Sequence, residues 1–416
     1  MAGEQQGGDG PQLAEILSSP RRDEAYGRLL EGPPVVEGRH MADIPVWLVT
    51  GYDEIVAVLT DPRFSNDLSD SGLTGAFMSL PEDLRPYFTA TLAAYDPPDH
   101  TRLRKVVSRE FTTRRVLRFR PRIEAITGEL LDDLARLADI DGLVDLVEHF
   151  AHQLPIRVIG ELLGVPAGDQ HRWRSLAEGL TAGDPGRGVT SARGLVDYMS
   201  QLVTTRRKAE DGDDLLSRLI HVQEEDGDRL SDEELVALSL SILLAGHRTT
   251  AALIRTGALL LLSAPERFEA LRNAPERIAA AVEEILRRYG PAEIGTLRVC
   301  REPVRLGGVL IPRGALVQVV FASANRDPRR FSGAEELDLT RADNAHLGFG
   351  HGIHYCLGAA LARAVGEIAF GRLVGMTPRL CLATPAEELS LTPGLSPGEK
   401  ALPVRFVQRA DDPAPR

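Results

Sequence analysis

The chain has 416 residues, 43% hydrophobic and 26% charged, a balance that excludes wholesale disorder and suits a soluble globular protein with a large core. Its 48 basic and 60 acidic residues leave a formal charge of −12, which argues against nucleic-acid binding through a basic surface. The three cysteines, Cys300, Cys356 and Cys381, form no C-x-x-C pair, so a disulfide framework is not expected and a reducing, cytoplasmic setting is.

In chain order, the Gly- and Gln-rich start has no apolar run for a signal peptide, and residues 1–15 read as a disordered tail. Val46–Thr50 reads as a strand. Three- and four-residue apolar spacing predicts helices over Tyr52–Leu59, His100–Phe111, Val116–Leu137, Leu154–Leu163, Leu195–Arg207 and Ala279–Tyr289. Between them, Ser231–Ser263 is predicted as one long helix. Ser231 and Glu234 spell a capping box and Pro265 follows the end. Its uncharged opening, Leu235–Gly246, is 12 residues, too short to span a bilayer, so no membrane association is expected. Val304–Leu306 and Leu316–Phe321 read as strands on either side of the turn Ile311-Pro312-Arg313-Gly314. No repeat or linker interrupts the chain. The expected architecture is mainly α with a small β region, a single domain over 16–410 and a tail over 411–416.

Cys356 lies in Phe349-Gly350-His351-Gly352-Ile353-His354-Tyr355-Cys356-Leu357-Gly358, just before an Ala-rich helix. Two glycines permit a tight loop, and the free N–H groups at a helix start stabilise a thiolate. Taken alone, such a cysteine is usually a small buried hydrophobe. Zinc is a second alternative, since His346, His351 and His354 crowd the same stretch, but a structural zinc site needs a second ligand pair that this loop does not supply. A thiolate ligand to haem iron fits better.

This stretch resembles the F-G-x-G-x-H-x-C-x-G signature of the cytochrome P450 haem-thiolate monooxygenases, in particular the soluble bacterial class, and the resemblance runs from about Val46 to about Val407. It implies a P450 fold with a long central helix over one haem b, with Cys356 as the iron ligand and Phe349, Gly350 and Gly358 shaping its loop. Glu284-Ile285-Leu286-Arg287 is similar to the family's E-x-x-R and Asn325-Arg326-Asp327-Pro328 to its N-R-D-P. The resemblance gives Glu284, Arg287 and Arg326 structural roles. Asp96-Pro97-Pro98-Asp99-His100 and Arg104 resemble D-P-P-x-H-x-x-x-R. It implies that His100, Arg104, Arg298 and His354 bind the haem carboxylates, which need several donors in a partly buried site.

On the central helix, Ala245-Gly246-His247-Arg248-Thr249-Thr250 is similar to the family's A/G-G-x-D/E-T-T. Gly246 is expected to let the macrocycle approach the backbone. Thr249 is expected to bond back to the Ala245 carbonyl, loosening the ladder where O2, the co-substrate, is activated. Arg248 departs from the family's carboxylate, and a guanidinium cannot cycle as an acid or base. Protons are therefore expected to pass by Thr249 and water, with help from His247 or the substrate. Alternatively Arg248 holds a substrate carboxylate in a peroxide-driven peroxygenase. A third reading is a non-catalytic haem sensor or carrier.

The resemblance implies insertion of one oxygen atom into a mainly hydrophobic small molecule, by hydroxylation or epoxidation, in tailoring a bacterial polyketide, peptide or terpenoid. The chain has no nucleotide fingerprint and no Cys cluster for iron–sulfur, so electrons are expected from an acidic ferredoxin and its reductase. Arg102, Arg104, Lys105, Arg109, Arg114 and Arg115 are the expected docking cations. A monomer is expected. By family position, Phe64–Ala93, His171–Tyr198, Leu238–Thr249, Ala292–Leu297 and Pro393–Ser396 line the pocket, with Leu73, Phe77, Met78, Leu243 and Ile294 as apolar contacts. Gly72, Gly75, Gly183, Pro185, Gly186 and Gly188 are expected to loosen lids over it.

Overall fold

The computed structural model describes residues 10–41, 43–71, 80–180, 184–208, 212–225, 230–376, 379–389 and 401–407. By internal contacts the chain forms two compact units, Met1–Ala76 with Leu286–Cys356, and Phe77–Ile285 with Leu357–Arg416. Each draws on two separated stretches of chain, so no linker could mark the division in the sequence.

The first unit is built on a five-stranded sheet among the described residues, in the order Val35–Arg39, Pro45–Val49, Leu316–Val319, Arg298–Cys300, Phe64–Ser65. Pro45–Val49 pairs parallel with Leu316–Val319, and the other three pairings are antiparallel. Alternate residues such as Val49, Phe64, Val317 and Val319 point into a core closed by Ile55 and Val58 of the helix Tyr52–Thr60. Val304–Leu306 pairs with Val309–Ile311 across Gly307 and Gly308, whose φ values of 55° and 86° are what a two-residue hairpin turn requires. The strand expected to reach Phe321 stops at Val319, because Phe321–Ala324 turns into a short helix.

The helix Leu13–Ser18 buries Leu13 and Ile16 against Tyr26, Leu29 and Leu48 of the same unit. The expected tail over 1–15 therefore overreached. Apolar residues at i, i+3 and i+4 are enough to seat this short helix. Residues 1–9 and 411–416 lie outside the described residues.

The second unit is organised by the helix Asp232–Leu262. Its capping box forms as the sequence predicts. Glu234 N donates to Ser231 Oγ at 3.0 Å, and Ser231 N donates to Glu234 Oε2 at 2.8 Å. This helix is long and apolar enough to cross a membrane, but 67% of its most apolar window is buried inside the protein. The helices Gln153–Leu163, Pro185–Lys208 and Ala359–Gly375 pack on it. Val144–Asp145, Pro403–Val407 and Arg379–Leu382 make a small antiparallel sheet.

Pro185, Gly186 and Gly188 are not loop residues. They open the helix Pro185–Lys208, where Asp184 Oδ1 accepts from the amides of Gly186 (2.9 Å) and Arg187 (3.2 Å). Proline fits a first turn, where its missing N–H is no loss. Gly72, Gly75 and Gly183 lie outside the described residues.

Gly257 marks the closest approach of the central helix to Ala359–Gly375. A Cβ there would run into the ring of Phe370. Gly257→Ala is expected to lower unfolding stability by about 1–3 kcal/mol, read as the denaturant midpoint of the holoprotein, because the fully buried Phe370 ring would have to shift.

Candidate functional site

In the first unit, Gly350 and Gly352 both adopt φ 71°, a left-handed conformation that favours glycine. At Gly352 a Cβ would lie 2.5 Å from the Leu59 carbonyl oxygen, so the loop is pressed onto the end of the helix Tyr52–Thr60. Cys356 N donates to Phe349 O at 2.9 Å and closes the loop, leaving Cys356 exposed ahead of the helix that begins at Ala359. Phe349 stacks at a tilt between His346 (5.8 Å) and Tyr355 (6.2 Å). His354 is half-buried. Among the described residues no three His, Cys, Asp or Glu side chains gather as a metal site, so the histidines near Cys356 do not form a zinc cluster.

The loop is hung from the same unit by two bonds that the sequence did not single out. Leu347 N donates to Asn325 Oδ1 at 2.7 Å, and the Tyr52 hydroxyl donates to Ala345 O at 2.6 Å. Asn325 stands first in the N-R-D-P stretch, a signal that was available. Tyr52 carried none. Arg287 donates to the carbonyls of Asn325 (2.6 Å), Ala334 (2.8 Å) and Glu336 (2.8 Å), with its guanidinium 5.3 Å from the Phe331 ring. Arg326 donates to Ala322 O and to Asp23, both at 2.8 Å. Arg298 is buried in its strand and donates to Phe64 O at 3.1 Å. Cys300 donates to Glu302 O at 2.8 Å and burial pushes its thiol up, an inert thiol.

In the second unit, His100 is buried on the helix Asp99–Ser108, and burial followed by the Arg104 charge holds its imidazole below the usual range. Arg104 is half-buried and Glu284 fully buried. On the central helix Thr249 Oγ1 donates to Ala245 O at 2.8 Å, and Thr250 Oγ1 to Gly246 O at 3.0 Å. Ala245 and Thr249 are exposed in the middle of this otherwise buried helix, whereas His247 and Thr250 on other faces are buried.

Several expected roles change. His247 turns away from the Ala245–Thr249 face and meets Trp173 edge-on at 5.4 Å, while its Nδ1 lies 3.2 Å from Leu243 O. Burial, with the Arg248 charge as a lesser cause, pushes its pKa down to about 4, so it stays neutral and serves packing rather than proton delivery. Gly246 packs against Ile159, and a Cβ there would lie 3.1 Å from the end of that side chain. Arg248 is half-buried. Leu243 is fully buried core, and Ile294 is half-buried with part of its side chain packed on the Tyr26–Leu48 cluster. Leu73, Phe77, Met78 and Pro393–Ser396 lie outside the described residues. Of the docking cations, Arg102 pairs with Glu234 and Arg115 with Glu110, and Lys105, Arg109 and Arg114 are exposed.

Each unit by itself carries donors of the kind a haem needs. The first has the exposed Cys356 thiol, with Arg298 and His354 as a guanidinium and an imidazole for carboxylates. The second has His100 and Arg104, and a central helix that exposes Ala245 and Thr249 at mid-length.

The His247 imidazole also makes stability depend on pH. Its folded pKa is depressed, so between about 6.5 and about 4 the unfolded chain binds a proton that the folded one refuses, and stability falls as pH falls through this window. His247→Phe is expected to flatten the pH dependence of the unfolding midpoint over that range by up to about 3 kcal/mol. An unchanged slope would place the titration elsewhere.

Comparison with known proteins extends this geometry. The family model described as Cytochrome P450 matches residues 186–375. The chain is 44% identical over 375 residues to 6-deoxyerythronolide B hydroxylase of Saccharopolyspora erythraea, covering 88% of this chain and 90% of that protein. It is 44% identical over 385 residues to cytochrome P450 monooxygenase PikC of Streptomyces venezuelae, covering 92% and 90%. Among solved structures, the Bacillus subtilis bacillaene polyketide synthase cytochrome P450 PksS aligns with a TM-score of 0.83 at 34% identity over 94% of this chain and 97% of that one. With relatives of this identity matched along nearly their whole length, the chain belongs to the cytochrome P450 family and is a P450 monooxygenase.

Proposed function

We propose that this monooxygenase hydroxylates or epoxidises a mainly hydrophobic polyketide-type small molecule, using haem b, O2 and electrons from an acidic ferredoxin and its reductase. The observation that carries the reading is the Cys356 loop, an exposed thiol at a helix start held by its own backbone, in a chain whose relatives include a hydroxylase and a polyketide-synthase P450.

When bound, the haem supplies reductive cleavage of O2, helped by electron density pushed from the thiolate. The chain's residues do the rest. Cys356 would ligate the iron, and the Phe349 carbonyl fixes the backbone from which the sulfur projects. His100, Arg104, Arg298 and His354 would supply the donors for the haem carboxylates, the role the family resemblance gives them. Thr249 holds a proton at Oγ1. Its bond to Ala245 O keeps the hydroxyl oriented and leaves its oxygen able to accept from water. Arg248 stays cationic and is kept out of the proton path. Lys105, Arg109 and Arg114 steer the ferredoxin. Residues 292–297 face the substrate ahead of Arg298.

Two measurements test this. The reduced protein under carbon monoxide is expected to give the red-shifted thiolate band, and Cys356→Ala to abolish it. Thr249→Ala is expected to lower the product formed per NAD(P)H by at least about tenfold while O2 is still consumed. An unchanged ratio removes Thr249 from the proton path, and full turnover with hydrogen peroxide and no reductase would favour a peroxygenase instead.

A further inference from the structure

The helix Arg22–Glu31 opens with two adjacent residues of opposite charge, and each meets a buried group of the opposite sign. Arg22 Nη1 donates to Glu293 Oε2 at 2.9 Å, both side chains being 14% exposed. Asp23 accepts from Arg288 at 2.9 Å and from Arg326 at 2.8 Å, and these two guanidiniums are 5% exposed. Tyr26, fully buried one turn later, faces Glu293 and lies under Arg326, whose guanidinium is 5.3 Å from its ring. Glu335 and Tyr289 complete the charged and titratable groups around the cluster.

The Arg22–Glu293 pair is largely buried, and Asp23, itself 44% exposed, meets two buried guanidiniums. Such pairs gain little net stability, because desolvation offsets their attraction; what they can supply is discrimination against wrong arrangements. The alternation of sign makes that discrimination sharp. A slip of the helix by one residue brings Asp23 to Glu293, or Arg22 to Arg288 and Arg326, and either sets a like charge against a side chain that is at most 14% exposed.

Glu293 passes this constraint into the chain that follows it. Its carbonyl accepts from Ala322 N at 3.0 Å, Gly295 N donates to Val319 O at 3.0 Å, and Gln318 Nε2 donates to Gly295 O at 2.7 Å. A Cβ on Gly295 would lie 2.5 Å from Val319, so this stretch is pressed onto the sheet with no slack until it enters the strand at Arg298.

We propose that Arg22, Asp23 and Glu293 form a charge-keyed register lock, positioning residues that set residues 293–297 and thereby which substrate atom is oxidised. The second half of this proposal rests on the reading above that residues 292–297 face the substrate. Exchanging the charges, Arg22→Asp with Asp23→Arg, keeps composition and net charge but puts both residues into like-charged surroundings. Hydrogen exchange on the substrate-free holoprotein is expected to show amides 293–297 and Ala322 exchanging at least about tenfold faster, with the helix Ala359–Gly375 unchanged. Arg22→Lys is expected to keep wild-type protection. Should the exchanged variant not fold, Arg22→Met with Glu293→Leu replaces the pair by apolar groups. The unfolding midpoint is then expected to hold while the same amides lose protection. Turnover of the substrate should show an altered product ratio and raised KM at nearly constant kcat. Unchanged protection in the folding variants overturns the lock, as does a loss spread evenly over the chain. Lost protection with an unchanged product ratio overturns the positioning role. That outcome leaves the monooxygenase reading intact, since the thiolate band and turnover test that separately.

Discussion

At Gly352 the chain passes so close to the helix Tyr52–Thr60 that a Cβ would lie 2.5 Å from the Leu59 carbonyl, and at φ 71° a side chain would also be strained. That passage turns the chain so that Cys356 N can reach Phe349 O and the sulfur is left exposed ahead of a helix. A loop of this kind has no core of its own. Its position is borrowed from neighbours through single bonds, Asn325 to Leu347 and Tyr52 to Ala345, each fixed in turn by the sheet unit. The chemistry asked of Cys356 requires a rigid sulfur, and the rigidity comes from backbone geometry rather than from packing around the thiol.

Arginine does most of the remaining work, which gives a physical sense to a composition with only three lysines. Arg287 ties three carbonyls from two stretches of chain, and Arg326 bridges a carbonyl and a carboxylate while lying against aromatic rings. A planar fork of five donors can satisfy several acceptors at fixed angles, whereas an ammonium on a flexible stem would satisfy them one geometry at a time. Burial alone would raise the carboxyl of Asp23, yet Arg326 and Arg288 hold it below its ordinary range.

The features legible in the sequence were those set by neighbours a few residues apart. The Ser231–Glu234 box, the glycine-rich approach to Cys356 and the Thr249 bond to Ala245 all close within four to eight residues, and all were readable. What escaped was decided at long range. Gly246 and Gly257 look alike in sequence to any helix glycine, and only the positions of Ile159 and Phe370 show that a Cβ is tight at the first and clashes at the second. Val304–Leu306 found its partner across two glycines rather than across the proline turn. The basic run after His100 lost two of its six cations to Glu234 and Glu110, whose proximity no spacing rule reveals. The two units stayed hidden because each is assembled from two distant stretches.

The central helix shows how a polar tetrad can sit in an apolar helix without contradiction. His247, Arg248, Thr249 and Thr250 occupy four successive 100° steps, so they cannot share one environment. His247 is buried against Trp173 and kept neutral, and Thr250 spends its proton on Gly246 O inside the protein. Thr249 makes the same kind of bond to Ala245 O, but on an exposed face. The difference between the two threonines is therefore not the hydroxyl or its bond. Thr250 is closed to solvent, whereas Thr249 can exchange its proton with water while its acceptor holds it in place. A carboxylate at position 248 would add a second titrating group beside it. The guanidinium of Arg248 adds a fixed charge instead, and it cannot cycle as an acid or base.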